Sequence, residues 1–252
     1  MNRQVARILL SLLVLAAVVG LWWTASHRAW LSKVFLPTPE AAWASLVEGL
    51  QGDMAPQFGE TVKRMVKGWL LACLAGIALG AAIGVSPRLR PWIQPTLEFL
   101  RPLPASAIMP LAISIFGLSP AMVLSVVAFG AVWPVLLATI HGFASIEPRL
   151  HEVSRCLGLS RTAFILKMGL PNALPDIVAG MRLSLTVALI LAVVGEMIAS
   201  QEGLGQAILL AARTFRSSDL FAGIILLGLV GFVSNGLLAL TERRLLRWQS
   251  VR

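Results

Sequence analysis

Charge is scarce in this sequence. Only 13% of its 252 residues are charged, against about a quarter in a soluble globular chain. Hydrophobic residues supply 57%, and the mean hydropathy is +0.82. No single soluble core hides that much apolar surface, so a soluble enzyme or binding domain is excluded and a bilayer is required as solvent. Cysteine is nearly absent: Cys73 and Cys156 form neither a metal-ligand spacing nor a disulfide framework. There is no G-x-x-x-x-G-K-[ST] loop, so the chain carries no phosphate-cradling motif of its own. The three histidines, His27, His141 and His151, all fall outside the apolar runs. Without a base inside a span, Ser114, Ser125 and Ser184 do not make an intramembrane protease. No inverted repeat is evident, which counts against a stand-alone secondary transporter or channel, although a homodimer would supply the missing half. That reading is kept as the alternative.

What is there is a series of apolar runs that fill one membrane domain, residues 1–252. Six spans are expected, at residues 8–25, 68–85, 102–118, 120–140, 177–199 and 220–240. The first follows Arg3 and Arg7 as a signal peptide would. Its apolar part is longer than a usual signal core, and no small-residue cleavage site follows within Trp22–Ser26, so it is read as a retained span. Gly76, Gly80 and Gly84 recur every fourth residue in the second span, a face without side chains where another helix can approach. Pro102, Pro104 and Pro110 each remove a backbone donor from the third span and predict an irregular helix there. Between the first two spans, Thr38-Pro39-Glu40 reads as a helix start. Trp43, Leu46, Val47 and Leu50 then predict an amphipathic surface helix over about residues 39–50.

The formal charge is +9, with 21 basic and 12 acidic residues. The basic residues stand in short clusters between apolar runs rather than in a stripe, so no nucleic-acid partner is expected. With the N-terminus inside, 14 of the 21 lie in inner segments, which puts both termini in the cytoplasm. Lys63, Arg64 and Lys67 run against that bias. Charges in or beside apolar segments are candidate pathway residues. Glu196 either lines the pathway or pairs with a base, while Arg101 and Arg182, near the inner ends, suit snorkelling to headgroups. Ser114 is the polar candidate of the third span.

The inner loop, residues 141–176, is more specific. Glu147-Pro148 starts a short helix on which Leu150, Val153, Ser154 and Leu157 can share a face. Gly158 breaks it, and Ser160 caps a second short helix containing Phe164, Ile165 and Met168. Leu170-Pro171 is expected to end that helix, and Pro175-Asp176 to lead into the fifth span. The product is a helix–turn–helix presenting Leu159, Ser160 and Phe164 outward.

Glu152-Val153-Ser154, then Gly158, Met168, Leu170 and Pro171, stand in the register of a loop written E-A-A-x3-G-x9-I-x-L-P. The two alanines are replaced by Val153 and Ser154 and the isoleucine by Met168. This loop resembles that of the permease subunits of type I ABC importers. Arg101-Pro102-Leu103-Pro104, Met109-Pro110-Leu111, Phe116-Gly117, the run Gly169–Pro175, Val194–Ile198 and Gly203-Leu204-Gly205 are similar to the nitrate, sulfonate and taurine group. The resemblance covers about residues 36–248. It implies an all-α, six-helix permease fold in a bacterial inner membrane, paired among membrane lipids as a homodimer or, as the alternative, with a sister chain. It also implies two copies of a cytoplasmic ATPase subunit, which bind ATP and Mg, and a periplasmic binding protein that delivers a small anion. On this resemblance the chain itself is no enzyme and holds no cofactor. Glu152, Gly158, Leu159, Ser160, Phe164, Leu170 and Pro171 would couple it to the ATPase.

Overall fold

A computed structural model describes residues 3–28, 30–86, 88–100 and 103–249. These residues hold helices and turns and no strand. Five helices are long and apolar enough to cross a membrane, or six if a helix pair bent by 83° counts as one broken span.

Helix α1, Arg3–His27, is anchored to the rest of the chain near its C-terminal end. Trp22 stacks on Phe221 and donates its indole N–H to the Pro37 carbonyl (2.9 Å), while the Trp23 indole donates to Glu40 Oε1 (2.8 Å). Amphipathic rings at a membrane interface suit that attachment. Helix α2, Pro39–Gln51, starts where the Thr38 hydroxyl accepts from the Ala41 N–H. It docks rather than floats: Ala42 and Leu46 are buried, Leu46 with Leu204, Ala222 and Leu226, whereas Trp43, Val47 and Leu50 stay exposed.

Helix α3 runs Met54–Gly84, so residues 54–67, expected as polar connection, are helical. Hydropathy starts the span too late because Thr61 and Arg64 find a buried partner, Glu196, on another helix. The small-residue face of α3 lies along α6, Pro120–Ala144. A Cβ at Gly76 would sit 2.9 Å from Val135 Cβ, and one at Gly84 would sit 2.8 Å from Phe143 Cβ, so the two helices run parallel at close approach.

The expected third span is broken. Helix α4, Arg90–Leu100, and α5, Met109–Phe116, preceded by a 3-10 turn at Ala105–Ile108, meet at 83°. Pro104 is extended there (φ −65°, ψ 124°); Arg101 and Pro102 lie outside the described residues.

After α6 come α7, Pro148–Cys156, α8, Arg161–Phe164, and α9, Leu170–Ala199. Leu170-Pro171 does not end a helix, contrary to the sequence expectation. A π turn at Ile165–Gly169, closed by Leu170 N–H on the Ile165 carbonyl, carries α8 into α9. The wider turn absorbs the donor that Pro171 lacks. Pro175 likewise lies inside α9. Helices α9 and α6 pack antiparallel, joined by the Ser184 hydroxyl on the Ala131 carbonyl (2.6 Å) and the Asn172 amide on Gly142 (3.2 Å). Helix α10, Leu204–Arg213, too short to span, went unforeseen; α11, Ser217–Leu245, follows.

Candidate functional site

The loop between α6 and α9 is closed by backbone geometry. Gly158 takes φ +60°, a conformation costly to other residues. Its N–H then bonds the Arg155 carbonyl (3.1 Å) while the Leu159 N–H reaches Ser154 (3.0 Å), a Schellman ending for α7. The Ser160 hydroxyl accepts from the Ala163 N–H (3.2 Å), capping α8. A fixed corner results, with Glu152 and Ser160 exposed, Leu159 and Leu170 half-buried and Pro171 exposed.

Phe164 does not face outward. It is buried with Phe143 and Ile146, near the end of α6, and with Ala173 and Ile177 of α9. An aromatic ring next to two membrane helices gains more from burial than from solvent exposure. The expected shared face of α7 also divides: Leu150 and Ser154 turn inward, while Val153 and Leu157 turn out. Val153, Leu157 and Leu166 are 45%, 64% and 59% exposed, so apolar side chains are left uncovered beside Glu152. The corner is therefore tied firmly to α6 and α9 on one side and offers an unsatisfied apolar surface on the other.

A second polar constellation lies at the far end of α9. Glu196 is fully buried and forms an ion pair with Arg64. Its Oε2 accepts from the Thr61 hydroxyl (2.9 Å) and the Gly205 N–H (3.0 Å). Thr61 Oγ1 in turn accepts from the Leu204 N–H (2.8 Å), and the Arg64 guanidinium donates to the Glu202 carbonyl (3.2 Å). One carboxylate thus clamps the start of α10 onto α3. Thr61 was missed from sequence. Arg64 carried a signal, since it belongs to the basic cluster that defies the orientation bias, and its charge is matched here by Glu196.

Residues 72–247 match the family of binding-protein-dependent transport system inner membrane components. The chain belongs to that family. It is 33% identical over 240 residues to a putative aliphatic sulfonates transport permease protein of Bacillus subtilis, covering 95% of this chain and 87% of the relative. It is 30% identical over 254 residues to the taurine transport system permease protein of Escherichia coli, covering 98% and 91%. Among solved structures, an inward-facing methionine ABC transporter, MetNI, contains a similar chain, with TM-score 0.69 and 17% identity over 79% of this chain and 98% of that one. The fold is that of a type I ABC importer permease.

In this permease the remaining sequence candidates scatter. Ser114 is exposed on α5, and Arg101 lies outside the described residues. Arg182 pairs with Glu242 (2.8 Å), joining α9 to α11. His27 stacks on Trp23, and His141 falls within α6.

Proposed function

We propose that this permease forms the translocation pathway of an ATP-driven importer for a small organic anion of the sulfonate or taurine kind, with nitrate the inorganic member of the same class. The relatives' names support the substrate class, and family membership supports the partners. Those partners are a second copy of the permease, two cytoplasmic ATPase subunits that bind ATP and Mg, and a periplasmic binding protein. The membrane is the bacterial inner membrane, with both termini and the Pro148–Gly169 corner on the cytoplasmic side.

The observation that carries the reading is the two-sided corner. Val153, Leu157 and Leu166 supply an uncovered apolar surface for an ATPase cleft, with Glu152 beside it. Phe164 ties that surface to α6 and α9, so a displacement of the corner moves both helices as rigid elements. Ser114 belongs to the pathway in this reading, as does Arg101. Glu196 acts on the outer mouth by holding α10.

The test is Leu157→Asp in the transporter reconstituted with its ATPase and binding protein. A charge in that apolar contact abolishes taurine uptake and binding-protein-stimulated ATP hydrolysis, while the chain's own thermal unfolding midpoint is unchanged. Undiminished uptake would overturn the coupling role. A stand-alone transporter would instead take up solute with no ATPase present.

A further inference from the structure

A pocket of about 360 Å³ opens between α4 and α6, beside the end of α3. That volume lies in the range of small-molecule sites, ~300–1,000 Å³. One face of α4 gives it three polar side chains at every fourth residue: Arg90, Gln94 and Glu98. Leu137 and Ile140 of α6 form an apolar floor, and His141 stands at its rim. His141 lies in the last turn of α6, directly before the corner, so the pocket is on the corner's side of the membrane.

The polar groups are held in place but not fully used. Arg90 Nη2 donates to the Gly84 carbonyl (3.1 Å), which fixes the guanidinium, while its Nε is buried and has no hydrogen-bond partner among the described residues. That Nε is sealed from solvent, so a ligand in the pocket meets the guanidinium through its Nη groups. At the other end, the Gln94 amide donates to Glu98 Oε1 (2.8 Å) and orients an exposed carboxylate. The pocket therefore has a cation at one end, an anion at the other and apolar carbon between them.

We propose that this pocket binds a short zwitterion, with its oxyanion on Arg90 and its ammonium on Glu98. A bare anion would meet Glu98 as a like charge, and a bare cation would meet Arg90; an ω-amino oxyanion satisfies both. Two sources carry that chemistry: a cytosolic aminosulfonate on its way out of the pathway, or the phosphoethanolamine headgroup of a lipid in the inner leaflet. The first source rests on the substrate reading above, and the second does not.

The test uses the full chain assembled with its ATPase in nanodiscs of phosphatidylglycerol alone, titrated calorimetrically with taurine and with ethanesulfonate, which lacks the ammonium. If solute is the source, taurine binds and becomes about tenfold to a hundredfold weaker in Arg90→Gln and in Glu98→Gln. Ethanesulfonate is then weakened by Arg90→Gln and strengthened, not weakened, by Glu98→Gln, which removes a like charge. If lipid is the source, taurine gives no heat, and phosphatidylethanolamine that co-purifies from native membrane with the wild type is lost from both variants. Glu98 is exposed, so Glu98→Gln preserves packing and decides the matter even should Arg90→Gln fail to fold. Wild-type retention of taurine and lipid in Glu98→Gln, or binding of neither by the wild type, overturns the site. Absence of sulfonate uptake by the wild-type importer would instead sink the substrate reading and leave the lipid arm standing.

Discussion

At the scale of single residues, the Glu196 cluster decides most. A carboxylate that accepts from Thr61, Gly205 and Arg64 while fully buried is stable only as a complete set. Removing one partner strands the other's charge, at about 3–5 kcal/mol. Glu196→Ala therefore lowers the thermal unfolding midpoint in mild detergent far more than the paired change Arg64→Met with Glu196→Leu, which removes both charges. Equal losses in the two would show that the ion pair, rather than its incompleteness, holds α10. This cluster was half legible in the sequence. Glu196 stood out as a charge in an apolar run, and Arg64 as a base on the wrong side. Nothing short-range joined them, since the contact spans more than a hundred residues and depends on α3 starting at Met54.

At the scale of elements, the α3–α6 contact and the corner behave differently. A Cβ at Gly80 would lie 2.6 Å from Thr139 Cβ and 2.9 Å from the Leu136 carbonyl, whereas one at Gly59 would meet nothing within 4 Å. Gly80→Ala is thus expected to destabilise by about 1–3 kcal/mol through overpacking. Gly59→Ala in the same helix is neutral or stabilising through helix propensity; thermal unfolding of both variants checks the contrast. In the corner, Phe164→Ala empties a packed site and is expected to cost about 3–5 kcal/mol. ATP hydrolysis and uptake fall out of proportion because the surface around Leu157 loses its tie to α9. Stability lost with the uptake-to-hydrolysis ratio preserved would make Phe164 a core residue only.

The glycine register foretold the close helix face because a four-residue repeat is local. The turn at Gly158 and the Ser160 cap were legible for the same reason. The continuation of α8 into α9 was not. Leu170-Pro171 reads as a stop under the rule for α-helices, and only the π turn, a tertiary accommodation, lets the helix pass. Phe164's direction was hidden likewise, because the side it takes depends on where Phe143 and Ile177 sit.

At the scale of the whole molecule, the hydropathy that required a bilayer also fixed the class of fold, and the register of one loop named the family. What composition left out were α10, apolar but too short to span, and the first turns of α3, too polar to read as part of a span; both are structural. On the proposed function, this permease is expected to move solute only when an ATPase works its corner. The direct measurement is uptake of labelled taurine into proteoliposomes containing the permease and binding protein, with and without the ATPase subunit and ATP. Accumulation is expected only in the complete, ATP-supplied vesicles. Uptake by the permease alone, at an equal rate and insensitive to ATP, would contradict it.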